Sequence, residues 1–190
     1  EYICNFIMST LETNLIQPAT GTSLTLGASG DTITIPSGAT IANSGTATGF
    51  GGANTPAFMV KLSGTQNITT ATWTKITFDS EVYDTNSAFA SNKFTPGVAG
   101  KYNFYLGITL DDLDDDKLLQ AKIYKNGSGE ATSLVQTVGN NGNKHSLNLS
   151  WSDSASTTDY YEGYVYHNIG STEELRTDYQ TIFMGYKIIE

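Results

Sequence analysis

From Pro56 onward, apolar and polar residues alternate with the period of two expected of half-buried strands. The clearest run is Tyr102, Phe104, Leu106, Ile108 and Leu110. A second is Tyr161, Gly163, Val165 and His167 on one side, with Tyr160, Glu162, Tyr164 and Tyr166 on the other. The pattern predicts strands over 57–62, 72–78, 102–110, 118–124, 133–138, 145–151, 160–167 and 181–189. These segments are rich in Val, Ile, Thr, Tyr and Phe, which suit a pleated surface. Asn126-Gly127-Ser128-Gly129 and Gly139-Asn140-Asn141-Gly142-Asn143 mark turns between them. Eight or more short strands without a helical period predict an all-β, antiparallel jelly-roll sandwich.

The first 60 residues follow another rhythm. Short apolar pairs, Leu24 with Leu26, Ile33 with Ile35, then Ile41, sit between turn signals every eight to ten residues. They predict strands of about four residues that cannot make a core alone and need stacking, along a solenoid or between chains. A flexible Gly/Ser/Thr linker is the competing reading. Asn43 to Asn54 reads as a hinge. Before it, Ile3, Phe6 or Ile7, Leu11 and Leu15 recur at helical spacing, and Met8-Ser9-Thr10-Leu11 resembles a start by itself. The division expected is therefore residues 1–55, a short-stranded stem or attachment segment, and residues 56–190, the jelly-roll head.

Composition narrows the classes. The 190 residues carry 19 Asp and Glu against 10 Lys and Arg, a net charge of −9. That balance argues against nucleic-acid binding, which needs cations to displace counterions. Residues 1–60 hold no Lys or Arg at all. No run of about 18 apolar residues is present, so membrane insertion is not expected. The one cysteine, Cys4, excludes an intrachain disulfide.

An ordered set of stretches in the head carries a resemblance. These are Trp73-Thr74-Lys75-Ile76-Thr77-Phe78-Asp79, Phe94-Thr95-Pro96-Gly97-Val98-Ala99-Gly100-Lys101-Tyr102-Asn103-Phe104, Ile123-Tyr124-Lys125-Asn126-Gly127, and Thr181-Ile182-Phe183-Met184-Gly185-Tyr186-Lys187-Ile188. Together they resemble the globular head of the complement first-component q subunit, which shares the tumour-necrosis-factor jelly roll. The resemblance implies a homotrimer, with the Y-x-F strand and the last strand near the three-fold axis. It thereby points to Tyr102, Phe104, Phe183 and Tyr186 as trimer core; ordinary subunit core is the alternative for each. Met8 to Pro18, with Ile33-Thr34-Ile35-Pro36-Ser37-Gly38-Ala39-Thr40-Ile41, resembles N-terminal segments of marine tailed-phage virion proteins. The two resemblances imply a trimeric capsid-decoration or tail-fibre appendage in the virion, assembled in host cytoplasm. Its segment 1–55 would attach to other virion proteins. A head without cysteine suits assembly in a reducing cytosol.

Candidate chemistry is sparse. Asp111, Asp112, Asp114, Asp115 and Asp116 form the densest charge cluster, a calcium candidate because hard cations take several carboxylate oxygens. The run does not fit an EF-hand, and a solvated acidic loop is the competing reading. No other cofactor is expected. The chain has no G-x-S-x-G, H-E-x-x-H or P-loop motif, so the expectation is a non-enzymatic protein. Trp151, Tyr160 and Tyr161 are candidates for stacking on host-surface glycan, with core packing as their alternative. Partners expected are the chain itself, other virion proteins, and a host surface glycan or protein. The rivals are a secreted complement-q-like or lectin-like ligand and, third, a glycan depolymerase.

Overall fold

The strongest alternation in the sequence becomes the longest strand. In the computed structural model, which describes residues 16–45, 54–113, 116–136 and 143–188, β7 (Gly100–Leu113) turns Tyr102, Phe104, Leu106, Ile108 and Leu110 fully inward. The other strands are β1 (Ala57–Leu62), β2 (Gln66–Ile68), β3 (Thr74–Lys75), β4 (Ser80–Asp84), β5 (Phe89–Ala90), β6 (Lys93–Phe94), β8 (Leu118–Lys125), β9 (Ser128–Gln136), β10 (Asn143–Ala155), β11 (Tyr161–His167), β12 (Glu173–Leu175) and β13 (Asp178–Lys187). A single 3-10 turn spans Thr85–Ser87. The chain divides into two units at Thr48–Gly49.

The strands of the second unit form two antiparallel sheets. One is 7-stranded, in the order β2-β12-β7-β13-β1-β4, with β10 on the other edge of β7. The other is 6-stranded, in the order β5-β6-β11-β8-β9, with β3 also on β11. Their inner faces enclose an aromatic core in which Phe58 stacks on Phe94 at 4.3 Å and Phe104 lies 4.2 Å from Tyr161. Strand β13 passes between β1 and β7 because residue 185 is glycine. A Cβ there would lie 2.6 Å from Phe104 and 2.9 Å from Phe58. The Tyr102 hydroxyl donates to the Val98 carbonyl at 2.8 Å, satisfying its one polar atom and fixing the turn that feeds β7. Asn126 and Gly127, both with positive φ, make the two-residue turn between β8 and β9, matching the type I′ hairpin such a pair favours.

Residues 16–45 of the first unit are bends, turns and extended chain, with no strand among them. The strands expected around Leu24–Leu26, Ile33–Ile35 and Ile41 are thus not formed in the single chain. Segments of four residues without a ladder partner leave their backbone groups to water, and among the described residues nothing pairs them. Turns do form at the predicted signals: Asp31 N–H donates to the Ala28 carbonyl, Asp31 Oδ2 accepts from Ala28 N–H, and Ala39 N–H donates to the Pro36 carbonyl. Leu24, Leu26, Ile33, Ile35 and Ile41 are all exposed. The helical spacing before residue 16 and most of the Asn43–Asn54 hinge lie outside the described residues.

Candidate functional site

Two outward faces of the sandwich carry large apolar and aromatic side chains. The first belongs to the sheet of β7 and β13. Strand pairing aligns Tyr83, Met59, Met184, Tyr105 and Ser150 in one row across β4, β1, β13, β7 and β10. The adjacent rows are Ala57–Tyr186–Asn103–Ser152 and Lys61–Ile182–Gly107–Asn148. These positions alternate with Phe58, Phe104 and Phe183, so they point away from the core. An outward face of an antiparallel sheet is normally polar. Here Met, Tyr and Ile occupy its centre, and the Ser and Asn residues of β10 form its margin. Tyr105 Oη donates to Asn148 Oδ1 at 2.7 Å, and Asn103 Nδ2 to Ser152 Oγ at 2.9 Å, fixing that margin.

This geometry reassigns most of the expected trimer contacts. Tyr102, Phe104 and Phe183 have no exposed surface in the single subunit. Alternation sends them between the sheets, where they are the subunit's own core and cannot touch a neighbour. Tyr186 alone of the four is exposed. Tyr105 and Met184, next in sequence to Phe104 and Phe183, and Met59, paired with Met184, are the outward residues that the sequence reading did not single out. Their signal is that apolar residues occupy both phases of the alternation in β1, β7 and β13.

The second face belongs to the sheet of β11 and β8. Tyr164 pairs with Lys122 and Glu162 with Tyr124. The Tyr124 and Tyr164 rings stack at 3.9 Å, Trp73 lies 5.4 Å from Tyr166, and the Lys122 ammonium sits 4.4 Å over the Trp73 ring. Glu162 is buried on this face because Lys75 Nζ meets it at 2.6 Å. Burial, followed by the charge of Glu162, raises the Tyr164 phenol above its ordinary value.

The expected glycan contacts separate. Tyr161 is a fully buried core side chain, and Trp151 is half-buried, packed on Tyr161 and Phe104 against that core. Tyr161 donates to Asp153 Oδ2 at 2.7 Å, and burial with that carboxylate pushes its phenol far above the usual range. Tyr160, also half-buried, shares the outward phase of Tyr164 and Tyr166, and Lys93 lies 4.8 Å over its ring.

The acidic run begins inside the last residues of β7. Asp111 pairs with Arg176 at 2.9 Å, and Asp112 and Asp116 are exposed with positive φ. Asp114 and Asp115 lie outside the described residues. Among the described residues, no three His, Cys, Asp or Glu side chains stand close enough to share a metal ion. Of the two histidines, His167 is fully buried, its Nε2 donating to the Ile68 carbonyl at 2.9 Å. A hollow of about 440 Å³ bordered by Ser63, Gln66, Asn67, Thr77, Asp79 and Glu174 is polar. The hydroxyl and N–H of Ser63 bind the Asp79 carboxylate and hold it below the usual carboxylate range. Among the described residues, no helix is long and apolar enough to cross a membrane.

No protein-family model matches the chain, and no curated protein matches it. Solved structures do. The chain is similar to the globular domain of the zebrafish complement 1qA protein, at 16% identity and a TM-score of 0.50, over 70% of this chain and 97% of that one. It is similar to Eiger TNF from S. frugiperda, at 11% identity and 0.52, over 70% and 91%. It is similar to murine APRIL, at 9% identity and 0.53, over 70% and 98%. At such identities the likeness is one of fold, and the head is an all-β jelly roll of the complement-q and tumour-necrosis-factor type.

Proposed function

We propose that this chain is a non-enzymatic structural protein of a tailed-phage virion, a homotrimeric capsid-decoration or tail-fibre appendage. Three heads pack through the sheet of β7 and β13, and the N-terminal unit docks on other virion proteins. The observation that carries the reading is the row Tyr83–Met59–Met184–Tyr105 on a sheet face that would otherwise be polar. Covering it removes apolar surface from water, at roughly 25 cal/mol per Å². The exposed Leu24, Leu26, Ile33 and Ile35, in a segment without one basic residue, support docking of the first unit against a protein surface. The fold likeness to complement and tumour-necrosis-factor heads supports a second reading, a receptor-binding ligand without a particle.

Sedimentation equilibrium of the full chain tests the assembly: three copies of 20.4 kDa give a mass of about 61 kDa. A monomer at micromolar concentration overturns it. Immunodetection in gradient-purified phage particles tests the setting. Co-migration with particles is expected, and cell binding by the free protein with none on particles would favour the ligand reading.

A further inference from the structure

The aromatic face of the second sheet has chemistry that assembly through the first sheet does not use. Tyr166, Trp73, Tyr124 and Tyr164 form a continuous chain of rings, with centroid separations of 5.4, 6.5 and 3.9 Å. All four are half-buried. Strand β11, at the centre of the face, is flanked by β8 and by β3 and β6, so it offers no free edge of its own for a peptide to extend. What it offers is a row of aromatic side chains and their hydroxyls. That matches a ligand with flat C–H faces and a polar rim, which is a pyranose ring.

The charges on this face select among such ligands. Glu162 is neutralised by Lys75. Lys122 lies over Trp73 and Lys93 over Tyr160, and neither makes an ion pair among the described residues. In a molecule of net charge −9, this face therefore presents two ammonium groups whose charge is not balanced by a carboxylate. A neutral glycan would leave them unanswered; an acidic one would place carboxylate or sulfate beside them. We infer that the outer face around Trp73, Lys122, Tyr124, Tyr164 and Tyr166 binds acidic polysaccharide, the rings stacking on sugar faces and the lysines meeting the anionic groups. The inference names a ligand class for the displayed head of the proposed appendage and takes its biological setting from that reading.

The test uses the full-length protein. Polygalacturonate, alginate and dextran sulfate are titrated by calorimetry and tryptophan fluorescence, with neutral dextran as the matched control. At least one acidic polymer is expected to bind and to change Trp73 emission, and dextran is not. Trp73→Ala should weaken that binding about 10-fold, the usual loss on removing one stacking ring. Lys122→Gln, a solvent-facing change that leaves the core alone, should weaken it several-fold and flatten its salt dependence. Failure of all three acidic polymers, equal binding of dextran, or an unchanged Lys122→Gln variant would each overturn the inference. So would equally tight binding of poly-glutamate, which would reduce the face to a charge patch. Sedimentation of the same samples keeps the two ideas apart. A trimer that ignores acidic glycans sinks only this inference, and a monomer that binds them through Trp73 sinks only the assembly.

Discussion

Two residues show how little room single positions have in this sandwich. At Gly185 the missing Cβ is the space in which the Phe104 and Phe58 rings lie, at 2.6 and 2.9 Å from where that carbon would stand. Both rings are fully buried and neither can swing away. Gly185→Ala should therefore cost about 2–3 kcal/mol, the usual penalty of overpacking, read as a lower urea midpoint with an unchanged slope. Asp159 works by charge. Asn126 Nδ2 donates to it at 2.8 Å, Ser156 N–H at 2.8 Å, and Lys125 stands 3.3 Å away. These partners, the Asn126 bond foremost, hold its carboxyl well below the ordinary value. Its folded pKa is thus below its unfolded one, near 4. The stability it contributes is complete above that pH and drains away as pH falls below it. Asp159→Asn should be less stable than the parent at pH 7, and the difference should shrink as urea midpoints are followed down to pH 3.

Elements divide into those the sequence announces and those it cannot. β1, β7, β8 and β11 were legible because each has an apolar phase long enough to fill one side of a core. The Asn126–Gly127 turn was legible from its own chemistry. β2, β5, β6 and β12 were not. Each is two or three residues long and exists because a neighbouring strand supplies its ladder, which is tertiary information. The segment 72–78 illustrates the same limit. It reads as one strand, but only Thr74–Lys75 pairs, and Trp73 instead lies across the outer face. The aromatic face was half legible, since Tyr160, Tyr164 and Tyr166 already shared one phase; Trp73 and Lys122 reached it only through folding. Lys75 adds a side-chain link to the backbone pairing of β3 with β11. Its ammonium answers Glu162, whose side chain is 10% exposed, and also donates to the Ser91 carbonyl at 3.1 Å. Lys75→Ala strands that carboxylate and should cost about 3 kcal/mol. Glu162→Gln on the Lys75→Ala background should restore much of it in chemical denaturation, since an amide needs no counter-charge.

At the scale of the whole molecule, the fold and the proposed assembly use opposite faces of the same strands, and adjacent residues can separate them. Phe183 is wholly enclosed between the sheets, whereas Met184 faces outward in the row with Met59 and Tyr105. If three heads cover that row, unfolding is linked to dissociation, and the midpoint temperature must rise with protein concentration. Phe183→Ala removes core and should cost about 3–5 kcal/mol. Whatever remains folded should still show the concentration dependence, because the outward row is intact. Met184→Lys changes nothing inside the sandwich, and a surface substitution of that kind alone costs within about 0.5 kcal/mol. It nevertheless puts an ammonium at the centre of the face proposed to be covered. The expected outcome is a folded subunit with native circular dichroism, a monomer mass, and a melting temperature that no longer depends on concentration. Calorimetry of the parent and both variants across a hundredfold concentration range checks this. A Met184→Lys protein that remains trimeric would show that the row is not the contact, whatever other face brings the heads together.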